Sequence, residues 1–316
     1  MKLVTFQHTM GCDRLGLLVN NKVVDLALAG TAYQSETHNE IPCLPADMLF
    51  FLNQGDSAIE VATRILQWVN EIIGKTGEVK TSTGELISFE LDKVRLRAPV
   101  LRPPKILCLA LNYQAHGNEV KTTMPENPYI FIKPGIRPVV GLNDKVFRPS
   151  ESKNLVYEGE LAVVIGKCCR HVPADKAYEV IAGYTVVNDM SARDFGATGT
   201  PGRFDWFRVK AFDSSCPMGP CLTLKDEIQD PHSLRLQTRV NGKTVQDAST
   251  GEMIHKIPDI IKFVSDYITL DPGDIIATGT PGGSKIALKD GDVVSVEISN
   301  IGTLSNTIAV ESVMVK

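Results

Sequence analysis

Aromatic side chains are scarce in this chain: 7 Tyr, 11 Phe and 2 Trp make up 6% of its 316 residues. That argues against a platform for stacking bases. Net charge is small, 33 Lys and Arg against 37 Asp and Glu, so the basic footprint expected of a nucleic-acid binder is missing. No apolar run approaches the roughly 20 residues of a membrane span. The first eight residues, Met1 to His8, lack the apolar core of a signal peptide. The seven cysteines are odd in number and irregularly spaced, with no CxxC, which excludes a disulfide framework or zinc cluster. Most read as small hydrophobes in a reducing cytoplasm. Cys216, in Ser214-Ser215-Cys216-Pro217, is the one thiol near a suspected site, and no histidine pairs with it in the sequence. A chain of this length buries roughly 75% of its unfolded surface, so no metal is needed to hold the core.

Strand-like runs and turn signals dominate what remains. Leu3–Phe6, Leu15–Val19 and Lys22–Leu26 read as strands, with Asn20-Asn21 as a turn. Helices are expected after Pro45 and along Ile59, Ala62, Ile65, Leu66 and Val69. Strands follow at Val94–Val100, Lys105–Ala110, Tyr129–Ile132, Leu155–Ile165, Ile181–Val187, Leu234–Val240, Asp274–Thr278 and Val293–Ile298. Ile257–Tyr267 is the clearest helix. Strands are many and alternating βαβ units few, which predicts an α+β, mainly β class with a closed or folded-over mixed sheet. A small α+β domain is expected over 1–95 and a catalytic domain over 96–316.

The sharpest chemical feature is Tyr157-Glu158-Gly159-Glu160-Leu161-Ala162-Val163-Val164-Ile165. Alternation puts Glu158 and Glu160 on one strand face, with Gly159 leaving the opposite face open. Neighbouring carboxylates raise one another's pKa unless a cation separates them. Asp189, at the end of Tyr184–Asn188, adds a third acid if the strands lie together. Oxygen-only ligation suits Mg²⁺ or Mn²⁺. Such a site keeps about one net negative charge, so an anionic substrate needs further cations nearby. A solvated edge strand would explain the same spacing. A glycosidase pair fits poorly, because two acids on one strand face cannot flank a sugar.

These residues resemble the metal-binding strand of the fumarylacetoacetate hydrolase superfamily. Four more segments resemble it in the same order: Leu111–Glu119, Val187–Asp194, Lys210–Pro220 and Gly273–Pro281. The resemblance covers about residues 100–310. It implies a mixed β-roll catalytic domain, a homodimer, and a divalent metal, Mg²⁺ or Mn²⁺, on Glu158, Glu160 and Asp189. It also implies a small 2-oxo acid or dicarboxylate as the partner, with no role for nucleic acid or membrane. In the family's pattern His116 deprotonates a water, Glu119 orients His116, and Lys210 contacts substrate. Thr280 sits in a glycine-rich turn, Thr278-Gly279-Thr280-Pro281-Gly282-Gly283, whose amides and hydroxyl can cradle a carboxylate. The chain departs from the family at Ala110, where Gly is usual, and at Phe195-Gly196, where a Gln is usual; Arg203 is available to replace that polar contact. The first expectation is a hydrolase cleaving a C–C bond in a β-diketo acid of the acylpyruvate or fumarylpyruvate kind, through an enolate stabilised by the metal. The alternative is an oxaloacetate decarboxylase or tautomerase, or a 2-hydroxyhepta-2,4-diene-1,7-dioate isomerase. A non-catalytic binding module is a third reading, opposed by the intact acidic and histidine set.

Overall fold

The computed structural model describes residues 1–8, 11–199 and 203–310. A twelve-stranded mixed sheet runs through the molecule. Its main path is Ser88–Glu90, Lys22–Asp25, Arg14–Val19, Lys2–Gln7, Cys216–Leu224, Ile181–Asn188, Gly159–Ile165, Ile275–Ala277, Ile106–Ala110 and Tyr129–Lys133. Pairing is antiparallel along that path except where Ile275–Ala277 runs parallel to Ile106–Ala110. A five-stranded sheet of Lys243–Ser249, Arg235–Val240, Val293–Ile298, Gly302–Val310 and Lys145–Arg148 packs over one face.

The central strands are buried on both sides, and this explains their near-continuous apolar sequence. Leu161, Val163 and Ile165 point into a core shared with Leu236, Val296, Ile298 and the helix Ile257–Tyr267. Ala162 and Val164 point the other way, into a core shared with Leu3, Leu17, Phe51 and Ile65. That second core is covered by the helices Leu26–Thr37 and Asp56–Thr76. Asp25 caps the first of these by accepting from the Leu28 amide at 3.0 Å. Gly77, at φ 77°, ends the second in the left-handed conformation that glycine adopts without strain.

The boundary expected near residue 95 does not interrupt the sheet. Lys2 and Leu3 pair with Thr223 and Leu222, and the same apolar core contains residues from both sides of it. The N-terminal strands therefore form the flank of the sheet that carries the acidic triad. The expected strand Leu155–Ile165 is in fact two, Leu155–Val156 and Gly159–Ile165, with Glu158 in the break. Val94–Val100 contributes only Arg95–Leu96 to the sheet. Cys216–Leu224 is a long central strand that its Pro217 and Pro220 concealed.

Candidate active site

The break at Glu158 is held by the neighbouring strand. The Glu158 amide donates to Asn188 Oδ1 at 2.9 Å, and the Asp189 amide donates to the Glu158 carbonyl at 2.8 Å. These two bonds bring the strand ends together and aim three carboxylates at one point. Ligand oxygens of Glu158, Glu160 and Asp189 lie within 4.8 Å of one another, and all three residues are buried. Gly159 is required between the two glutamates, but its outer face is not open. A Cβ there would stand 2.4 Å from Thr238 Oγ1 and 2.9 Å from Val296 Cγ1.

Three cations answer the three acids. Lys210 Nζ donates to Glu158 Oε2 at 2.6 Å and to Asp189 Oδ2 at 2.5 Å. Arg193 Nη2 donates to Glu158 Oε1 at 3.1 Å. Lys133, 1% exposed, approaches Asp189 Oδ1 to 2.6 Å as an ion pair off the hydrogen-bonding angle, and donates to the Ser215 carbonyl, also at 2.6 Å. Lys133 and Arg193 were not singled out from the sequence. Arg193 stands in the Ser191-Ala192-Arg193-Asp194 motif, and Lys133 closes the apolar run Tyr129–Ile132, but neither spacing tells where the charge goes.

Electrostatics separate the acids. Burial works to raise the Glu158 carboxyl, yet the charges of Lys210, His116 and Arg193 outweigh it and hold it at about 2. Glu160 is pushed well above the ordinary carboxylate range, first by burial and then by the Asp189 charge beside it. Its Oε2 accepts the Gly279 amide at 2.7 Å, which does not offset that repulsion. Burial works to lower the Lys210 ammonium, but Asp189 and Glu158 raise it above its ordinary value. A crowded, oxygen-only donor set with one carboxyl pushed upward, and with Asp189 Oδ1 accepting no hydrogen bond beyond its ion pair with Lys133, fits a hard divalent cation. The residues present are compatible with Mg²⁺ or Mn²⁺.

The site opens into a cavity of about 440 Å³. His116, Glu158, Ser191, Arg193, Lys210 and Thr280 line its inner end, and none of the other five histidines lines it. His116 and Glu119 share the short helix Gln114–Val120. Asn112 fixes the start of that segment by donating to the carbonyls of Thr278 and His255 at 2.8 and 3.1 Å. Burial lowers the His116 imidazole below its ordinary value, and its Nδ1 is buried with no hydrogen-bond partner. Glu119 Oε2 instead accepts the Gly283 amide at 2.6 Å.

Two amides of the glycine-rich turn hold carboxylates of the protein itself, Gly279 that of Glu160 and Gly283 that of Glu119. Gly279, at φ 95°, has no room for a Cβ, which would meet Asn112 Cβ at 2.8 Å. The Thr280 hydroxyl donates to the Gly159 carbonyl at 3.0 Å and accepts from Gln246 Nε2 at 2.9 Å. Cys216 is fully buried, and burial pushes its thiol up to about 12, which removes it as a nucleophile at neutral pH. All seven thiols are free, and Cys12, Cys43 and Cys168 are exposed where burial was expected. Arg203 is exposed and does not line the cavity; Arg193 does.

A model of the fumarylacetoacetate (FAA) hydrolase C-terminal family matches residues 105–309. The mitochondrial oxaloacetate tautomerase Fahd2a of Rattus norvegicus is 40% identical over 273 residues, covering 84% of this chain and 81% of that protein. The Bos taurus mitochondrial oxaloacetate tautomerase FAHD2A is 37% identical over 98% of this chain and 91% of its own length. Among solved structures, maleylpyruvate hydrolase from Sphingobium sp. SYK-6, in complex with manganese(II) ion and pyruvate, superposes with a TM-score of 0.70. It is 29% identical and covers 99% of this chain and 100% of that one. The 2-hydroxyhepta-2,4-diene-1,7-dioate isomerase from Mycobacterium marinum superposes equally well, with a TM-score of 0.70 and 31% identity over 99% of each chain. No helix of the described residues is long and apolar enough to cross a membrane. The chain belongs to the fumarylacetoacetate hydrolase family of enzymes.

Proposed function

We propose that the protein is a divalent-metal-dependent tautomerase of small 2-oxo acids of the oxaloacetate kind. This replaces C–C bond hydrolysis as the leading reading. The observation that carries it is the buried triad of Glu158, Glu160 and Asp189 in a cavity that His116 also lines. Relatives 37–40% identical over most of the chain are named oxaloacetate tautomerases, which supports it.

A divalent cation on the triad would supply Lewis-acid polarisation of a 2-oxo acid's carbonyl. The chain's own groups do the rest. Lys210 and Arg193 balance the acids and attract an anionic substrate to the inner end of the cavity. His116, held neutral at pH 7 by burial, is in the form that accepts a proton from C3. The apolar flank of the cavity excludes water, which strengthens each of these charges. Thr280 fixes the Gly159 carbonyl and so the geometry between the two glutamates. The resemblance also implies a homodimer.

Hydrolysis remains the second reading, favoured by the likeness to maleylpyruvate hydrolase. It needs Glu119 to orient His116 toward a water; Glu119 Oε2 accepts the Gly283 amide, while Glu119 Oε1 and His116 Nδ1 are both buried without a hydrogen-bond partner. The test supplies Mn²⁺-loaded protein with enol-oxaloacetate and, separately, with an acylpyruvate. Acceleration of enol loss to the keto form, abolished in Glu160→Ala, is expected. Release of pyruvate and a carboxylic acid from the acylpyruvate, with enol-oxaloacetate unaffected, would overturn the tautomerase reading in favour of the hydrolase.

A further inference from the structure

Four of the chain's few aromatic side chains meet at the mouth of the cavity. Phe131 and Trp206 stack with centroids 4.7 Å apart and planes at 18°. Trp206 meets Tyr129 edge-on at 5.5 Å and Phe204 at 4.7 Å. This wall begins where the charges end, since Lys210 Nζ lies 5.1 Å from the Phe131 centroid. The Trp206 indole N–H is committed to the Tyr129 hydroxyl at 3.1 Å, so the cluster presents ring faces and edges to the cavity.

Folding alone does not explain the cluster. Tyr129 and Phe204 are 45% and 47% exposed, and Phe131 and Trp206 are only partly covered. Contiguous exposed aromatics of this kind mark binding surfaces. The charged side chains lining the cavity, Glu158, Arg193 and Lys210, and the imidazole of His116 belong to the acidic site and not to the aromatic wall. The apolar lining adds Leu109, Leu111, Val120 and Val209 to the aromatics, with Leu109 and Val209 buried. A second carboxylate placed beyond Phe131, against Tyr129 or Phe204, would lose its hydration and meet no cation among the lining side chains. A ring would replace water with edge-to-face and stacked contacts. Both carboxylates of a four-carbon diacid can be served by the charged end, which leaves the aromatic half of a cavity of about 440 Å³ unfilled.

We propose that Phe131, Trp206, Tyr129 and Phe204 form an aryl subsite, and that the site accepts 2-oxo acids carrying an aromatic ring on the C3 side. This rests on the reading of the inner end as a 2-oxo acid site. The chemical step is unchanged for such a substrate: the C3–H bond breaks, its electron pair forms the C2–C3 double bond, and the carbonyl oxygen gains a proton.

Binding tests the subsite separately from turnover. The probes are pyruvate and phenylpyruvate, titrated calorimetrically into Mn²⁺-loaded full-length protein, wild type, Trp206→Ala and Trp206→Leu. The wild type should bind phenylpyruvate at least tenfold more tightly than pyruvate. Trp206→Ala should lose most of that ratio, and Trp206→Leu should keep part of it. Intrinsic fluorescence locates the ring, because the other tryptophan, Trp68, is buried against Tyr33 on the helix Asp56–Thr76. Phenylpyruvate should therefore perturb emission more than pyruvate does. Equal affinities, or a ratio unchanged in Trp206→Ala, would overturn the proposal. So would a change of oligomeric state in Trp206→Ala with the ratio intact, which would make the wall a contact between copies. Aryl preference without oxaloacetate tautomerisation would sink the functional reading and leave the subsite standing. Binding of neither acid would sink both.

Discussion

Replacing Lys133 by Met removes a buried cation from a site built around three acids, and the cost follows from its contacts. Lys133 Nζ stands 2.6 Å from Asp189 Oδ1 and donates to the Ser215 carbonyl and hydroxyl at 2.6 and 3.2 Å. At an effective dielectric of 20 the ion pair is worth about 6 kcal/mol before desolvation. Methionine recovers the desolvation of the ammonium and fills similar volume, but it leaves Asp189 short of one partner. Breaking a buried pair from one side costs about 3–5 kcal/mol. Lys210 still holds Asp189 Oδ2, so the lower figure applies, about 3 kcal/mol. The readout is urea denaturation with and without Mn²⁺. The metal-free variant should lose about 3 kcal/mol. Saturating Mn²⁺ should stabilise it more than it stabilises the wild type, because the variant triad lacks a cation that competes with the metal. A tenfold gain in metal affinity adds about 1.4 kcal/mol at fixed metal concentration. A loss below about 1 kcal/mol, or identical Mn²⁺ increments in the two proteins, would refute the view that Lys133 is a charge partner of the triad.

Glu160→Gln should separate stability from metal binding. It removes the carboxyl that burial and Asp189 destabilise, while a side-chain oxygen can still accept from Gly279. The metal-free variant should melt no lower than wild type, while its Mn²⁺ affinity falls at least about 100-fold, since even outer-shell losses cost 10–100-fold. Gly159→Ala should cost about 2 kcal/mol in urea denaturation, because its Cβ would press on Thr238 and Val296 in a packed core. His116 fixes a pH dependence. Burial lowers its folded pKa below the ordinary value near 6.5, so the unfolded state binds more protons between those two values. Its contribution to stability is therefore present above about pH 6.5 and is lost as pH falls toward the lowered value. The acidic limb of the rate profile for enolisation of the keto acid should likewise fall below 6.5 and vanish in His116→Ala.

What could be read from the sequence divides by range. The helix Ile257–Tyr267 and the strand Val293–Ile298 were legible to the residue, because periodicity and turn signals are local. Glu158 and Glu160 were legible as a pair because their spacing is local too. Asp189 needed the pairing of Gly159 with Asn188, which the motif order implied but no spacing could establish. Cys216–Leu224 was hidden because two prolines argue against a central strand. Yet it pairs with Lys2–Gln7 on one side and Ile181–Asn188 on the other. The glycine-rich turn was legible as an anion cradle, but it was not legible that two of its amides hold Glu160 and Glu119, more than a hundred residues earlier in the chain.

The charge balance of the site shows why that limit matters for function. Sequence reading left a metal-loaded triad about one charge negative and asked for further cations to admit an acid. Lys133, Lys210 and Arg193 supply them, each from a different stretch of chain. With Glu119 beside Arg193 as a fourth acid, four carboxylates face three cations once a metal ionises Glu160, so a divalent cation leaves the inner end positive by about one. An anionic 2-oxo acid should therefore bind to the metal-loaded site with an affinity that weakens as salt rises. Screening at 0.15 M ionic strength acts over about 8 Å, and partly buried charges are screened less than exposed ones. The dependence should consequently be modest, and steeper in the association rate than in dissociation. Lys210→Met should flatten it, and the measurement is the association rate of pyruvate to Mn²⁺-loaded protein between 0.02 and 0.5 M salt, about a 25-fold range. An unchanged salt slope in Lys210→Met would mean that the ammonium only neutralises Glu158 and Asp189 and contributes nothing to the field that draws the substrate in.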